Sequence, residues 1–144
     1  MEEEEILFND FKMEIIKRCK EKSACKSEFT KVLESTNFNE LVKVLTANFN
    51  WCCENKIIDV ELLEPLNEVI IKYGLCANVK EVSNCFILLN GSSTARLHGS
   101  STARLYDLST AKLYGSSTAI LHDSSRAILY SSSTAELYGS STAE

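Results

Sequence analysis

The spacing of apolar residues changes once along this chain. Up to about residue 74 they recur at three- and four-residue intervals, and from residue 83 onward they alternate with polar residues inside an eight-residue unit. The first spacing predicts amphipathic helices and the second predicts short strands. The unit repeats almost verbatim: Gly91-Ser-Ser-Thr-Ala-Arg-Leu-His98 is followed by Gly99-Ser-Ser-Thr-Ala-Arg-Leu-Tyr106. Six complete copies fill 91–138, a truncated seventh runs from Gly139 to Glu144, and 83–90 fits the register as a degenerate, more apolar first copy.

Aligning the copies separates the columns by chemistry. The third is Ser, the fifth Ala and the seventh Leu in every complete copy. The sixth holds Arg96, Arg104, Lys112, Ile120, Ile128 and Glu136, a mixture expected of a solvent-facing position, since burying such charges unpaired is costly. Columns 3, 5 and 7 are therefore expected to face inward and columns 4, 6 and 8 outward. The first column is Gly, Asp or Ser, residues suited to a tight turn. A helix fails because a period of eight matches neither the heptad nor the eleven-residue repeat that keeps one helical face in register.

Two copies then make a sixteen-residue coil, and alternate copies stack in register on opposite faces of a thin Ala and Leu core. Burying each Leu contributes on the order of 1.5–3 kcal/mol. An antiparallel meander satisfies the same columns, but near-identical copies favour stacking of like on like. The expected fold is α+β: a small helical bundle in 1–82 followed by a β-solenoid of octapeptide repeats in 83–144, with 83–90 as joint and cap.

Within the amino-terminal module, Ile6, Leu7, Phe11, Ile15, Ile16 and Cys19 mark the apolar side of a helix over 4–21, whose last turn is basic. The Glu2–Glu5 run at its start is a solvated cap or an acidic docking patch. A short second helix turns Phe29, Val32 and Leu33 inward. A third, capped by Asn37 or Asn39, carries Phe38, Leu41, Val42, Leu45, Phe49 and Trp51, and adjacent Cys52 and Cys53 are expected to point one to the core and one to the rim. Asp59 caps a fourth helix in which Pro65 is tolerated only with a kink or a late start and which Gly74 ends, with Glu61, Glu64 and Glu68 on one solvated face.

The charge is uneven. Residues 1–82 carry 16 Asp and Glu against 11 Lys and Arg, whereas 83–144 carry four of each. Neither half has the basic excess of a protein that holds a phosphate backbone, so no direct nucleic-acid binding is expected. An acidic start and the lack of a long apolar run predict a cytoplasmic protein with no membrane contact. Its six cysteines are then expected to be reduced, and without a Cys-x-x-Cys pair they do not spell a zinc site. No catalytic, cofactor-binding or metal residue is singled out, and a small enzyme using Glu61, Glu64 or a cysteine is the rival reading. His98 and His122 stand where other copies have Tyr, so that column asks for a flat amphipathic ring. A Ser-His-Asp triad has no distinct partners to build it, and the outer Thr column resembles an ice-binding ladder only in part.

The array, with Trp51-Cys52-Cys53 before it, resembles the octapeptide-repeat segments of small proteins from gut bacteria and their phages. Ser replaces the usual Asn, and Ala-x-Leu replaces Val-x-Ala. That resemblance implies an origin in mobile elements and no activity. The expected function is a non-enzymatic protein–protein interaction module. Its surface candidates are Glu61, Glu64 and Glu68 in the helices and Arg96, Arg104 and Lys112 in the repeat. The chain stops inside a repeat, which leaves the last rung in need of a cover. Either the natural protein continues beyond this chain or a second molecule supplies that cover; the expectation is a homodimer through the terminal coils, with Glu136, Leu137, Tyr138 and Ala143 at or near the contact. The alternative is an inhibitor of a host defence nuclease that acts through the acidic helices, its partner being a host protein.

Overall fold

The computed structural model describes residues 2–144, the side chain of Glu2 excepted. The chain forms two compact units that divide between Tyr73 and Gly74.

The first unit is helical: α1 (Glu2–Glu21), α2 (Lys26–Glu34), α3 (Phe38–Ala47), α4 (Phe49–Glu54), α5 (Val60–Leu63) and α6 (Asn67–Ile70), with 3₁₀ turns at Glu64–Leu66 and Ile71–Tyr73. Phe8, Phe11, Ile15 and Cys19 form the buried side of α1. Phe8 meets Phe38 edge to face, their centroids 5.4 Å apart, an arrangement favoured by the ring quadrupoles. Asn37 caps α3 by accepting from the Glu40 amide at 2.9 Å. In return the Glu40 carboxylate accepts from the Thr36 amide and hydroxyl at 2.8 and 2.7 Å, a reciprocal arrangement that satisfies donors at the helix start.

Four expectations change here. Ile6 and Leu7 are exposed and Phe8 takes their place in the core; spacing alone did not decide this, since Leu7 and Phe8 stand four and three residues before Phe11. Leu33 is exposed beside buried Val32. The expected third helix breaks at Asn48 (φ −120°, ψ 33°), and the new helix turns Phe49, Cys52 and Cys53 inward while Trp51 stays 38% exposed. Both adjacent cysteines are therefore buried. The fourth helix is not continuous either, since Pro65 sits in the 3₁₀ turn that separates α5 from α6.

The second unit is a parallel β-solenoid. Its strands are β1 (Leu75–Ala77), β2 (Glu81–Ser83), β3 (Phe86–Leu89), β4 (Thr94–His98), β5 (Thr102–Leu105), β6 (Thr110–Leu113), β7 (Thr118–Leu121), β8 (Arg126–Leu129), β9 (Thr134–Leu137) and β10 (Thr142–Ala143). They alternate between two five-stranded sheets, ordered β1-β3-β5-β7-β9 and β10-β8-β6-β4-β2. Each pairing is parallel, and from β3 and β4 onward the partners lie sixteen residues apart, so that each octad column meets the same column: Ala95 with Ala111, Leu97 with Leu113, Thr102 with Thr118. That register excludes the meander.

The inward columns are as expected. Leu97, Leu105, Leu113 and Leu121 are fully buried, with Ala95, Ala103, Ala111, Ala119 and Ala127 beside them. Ser101, Ser109, Ser117 and Ser125 are buried too, and their hydroxyls are satisfied near the turns. Ser109 donates to the Tyr106 carbonyl and Ser125 to the His122 carbonyl, each at 2.7 Å. The first column is left-handed throughout: Gly91, Gly99, Asp107, Gly115, Asp123, Ser131 and Gly139 have φ between 59° and 67°. Asp107 and Asp123 add a second function there. The Asp107 carboxylate accepts from the Gly91 amide at 2.9 Å, and that of Asp123 from the Asp107 amide at 3.0 Å.

The solenoid also begins earlier than the repeat. The division expected after residue 82 falls inside β2, and the strands start at Leu75. The left-handed turn residue before β3 is Asn84, not Ser83, so this copy is one residue short in its turn. Leu75 pairs with Phe86 and Glu81 with Arg96, offsets below sixteen that hide the first coil from any search for octads.

Candidate functional site

On the second sheet Arg96 pairs with Lys112 and is exposed, Lys112 half-buried. Arg104 does not join them. It lies on the other sheet, in a row that runs Ala77, Leu88, Arg104, Ile120, Glu136, and it is buried at 3% exposure along with Ala77 and Leu88. The reason is that neighbouring octads occupy different sheets, so a column of one composition is split into two rows with different surroundings. The expected basic patch is thus Arg96 and Lys112 alone.

Glu61, Glu64 and Glu68 are all exposed, but the break at Pro65 places them on three successive short elements instead of one helical face. Among the described residues no three His, Cys, Asp or Glu side chains converge as metal ligands. Among the described residues no helix is long and apolar enough to cross a membrane. Arg18 bridges Glu14 at 2.8 Å and Asp59 at 3.1 Å, and its hydrogen bond holds the Glu14 carboxyl below the usual range.

Column 8 forms two aromatic stacks. On one sheet His98 lies on Tyr114 at 4.9 Å and Tyr114 on Tyr130 at 4.7 Å. On the other, Tyr106 lies on His122 at 5.0 Å and His122 on Tyr138 at 5.3 Å. Interplanar angles are 12° or less. His98 Nε2 is 2.8 Å from a Glu81 carboxylate oxygen, which ties the end of one stack to β2.

The last coil differs from those before it. β9 and β10 are the edge strands of their sheets, with backbone groups on one side that no strand pairs. Leu137 is 49% exposed and Tyr138 52%, whereas Leu113 and Leu121 in the same column are fully buried. Ala143 is half-buried and Glu136 is exposed at the rim, where it accepts from the Tyr138 hydroxyl at 3.4 Å. Glu144 stands 4.0 Å from Arg126, a pair too exposed to hold the coil by itself. The four terminal residues named from the sequence therefore do lie together on the last coil.

Comparison with protein-family models, with curated proteins and with solved structures finds nothing that matches this chain.

Proposed function

We propose that this chain is a non-enzymatic protein–protein interaction module that pairs with a second copy of itself through the last coil of the solenoid. The observation that carries this reading is Leu137, half-exposed in a column whose members from Leu97 to Leu121 are fully buried. A second terminal coil, related by a twofold axis, covers Leu137 and pairs the open strand edge in one step, and such a contact closes without further growth. The cytoplasmic setting and the likeness to octapeptide-repeat proteins of gut bacteria and phages belong to the same proposal.

Sedimentation velocity at micromolar concentration tests it. The chain is expected to run as a dimer and the Leu137→Asp variant as a monomer. A monomeric wild type sinks the proposal, and an unchanged dimer in the variant moves the interface away from the solenoid end.

A second reading rests on charge. The residues up to Tyr73 hold 15 Asp and Glu against ten Lys and Arg, which is the whole acidic excess of the chain, and Glu61, Glu64 and Glu68 present part of it to solvent. An acidic helical unit of this kind could occupy the nucleic-acid groove of a host defence nuclease. Recovery from host lysate of a nuclease that DNA displaces supports that reading; recovery of the protein alone removes it.

A further inference from the structure

The helical unit contains a cavity of about 370 Å³, within the range of small-ligand pockets. Its walls are mostly apolar, with Phe29 and Val32 from α2, Val44 and Leu45 from α3, and Trp51 from α4, and Ser27, Glu28 and Asn48 complete the lining on its polar side. Val32 and Leu45 are buried, while Trp51 stands exposed on the rim. Three thiols share the lining, those of Cys19, Cys25 and Cys52. Cys19 and Cys52 are buried, and burial pushes the first up and the second up to about 12, so both add neutral, soft surface to the cavity.

Cys25 is the opposite case. It is exposed and immediately precedes α2, with its sulfur 3.2 Å from the Ser27 hydroxyl. That hydroxyl, together with the amides of Glu28 and Ser27, draws the thiol below its ordinary value. A nucleophile thus stands at the opening of a mostly apolar cavity, with Glu28 as the one charged residue in its lining. The matching ligand has an apolar body and one electrophilic carbon near its end.

We propose that the cavity binds the apolar chain of an acyl thioester and that Cys25 accepts its acyl group. The Cys25 thiolate attacks the thioester carbonyl carbon, a new carbon–sulfur bond forms to Cys25, the donor's carbon–sulfur bond breaks, and the donor thiol leaves as thiolate and takes a proton from water. Thiol exchange of this kind needs no oxidant and no metal. It also accounts for the exposed Trp51, since an acyl chain in the cavity covers one face of the indole.

The experiment is acylation of the full chain by acetyl- and octanoyl-coenzyme A, followed by intact mass and peptide mapping. A single octanoyl group on Cys25 is expected, formed roughly tenfold or more faster than the acetyl adduct because the longer chain buries its methylenes. Cys25→Ser, a change at an exposed position, should lose the adduct. Trp51 is the only tryptophan, so its emission reports the cavity directly, and in Cys25→Ser it should still shift when octanoyl-coenzyme A is added. Equal acetyl and octanoyl rates, label spread over several cysteines, or unchanged Trp51 emission in Cys25→Ser would each overturn the proposal.

Discussion

Tyr114 lies flat against Tyr130, ring centroids 4.7 Å apart and planes 3° from parallel, although sixteen residues of chain separate them. The pair is the outer counterpart of the Leu113–Leu129 register beneath it. Stacked rings add about 0.5–1.5 kcal/mol beyond the area they bury. Tyr114→Ala should therefore lower the urea midpoint, and Tyr114→His, which keeps a flat ring between His98 and Tyr130, should lower it less. Equal losses would mean that the stacks are incidental.

Leucines of one column should not be equivalent. Leu113→Ala empties a fully buried position and is expected to cost about 2–5 kcal/mol. Leu137→Ala, half-exposed on the last coil, should cost about 1 kcal/mol in the same titration, run at a concentration too low for association.

The turn column gives a test that depends on the backbone. A Cβ on Gly115, at φ 67°, would stand 2.8 Å from the Gly99 carbonyl oxygen, and Val there is expected to destabilise by more than about 2 kcal/mol. Gly91 has the same sign of φ but open space around it, so Gly91→Asn should change stability by less than about 1 kcal/mol. Thermal melts of the two variants make the comparison.

The α3 cap sets a pH dependence. The Thr36 hydroxyl and amide hold the Glu40 carboxyl below its usual value. A depressed folded-state value stabilises above the unfolded one and loses that contribution as pH falls through the folded one. The stability gap between wild type and Glu40→Gln should be full at neutral pH, shrink below about pH 4 and vanish in stronger acid. Urea midpoints measured at neutral and acid pH check this.

The columns were legible because each obeys one physical rule. Ala103 and Leu105 alternate with Thr102 and Arg104 at the strand period, and Asp107 replaces Gly where the backbone is left-handed. What the repeat concealed is which copies face which way. Arg104 and Arg96 are the same column in consecutive octads, yet one is buried and the other exposed, and a one-dimensional alignment merges them. The first coil was hidden for a different reason: Leu75–Ala77 and Glu81–Ser83 enter the sheets at shortened offsets, and so carry no octad signal. Among the helices, Asp59 announced its cap, accepting from Leu62 at 2.9 Å, while for α3 the sequence offered Asn37 or Asn39 and the structure uses Asn37. The break at Asn48 had no such marker, and with it went the orientation of Trp51 and Cys53. The Cys25 cavity left no trace in the sequence, since its walls come from α2, α3 and α4 at irregular spacing.

The alternation of octads between two sheets makes length a two-step variable. Gain or loss of one octad keeps every Ala, Leu and turn residue in a working position, yet sends each later copy to the opposite sheet, so that Lys112 and Ile120, for instance, exchange faces. Gain or loss of two octads restores the original faces and only moves them along the axis. Copy-number change in such a gene would thus be silent for the interior at every step, while its parity decides which exterior the protein displays.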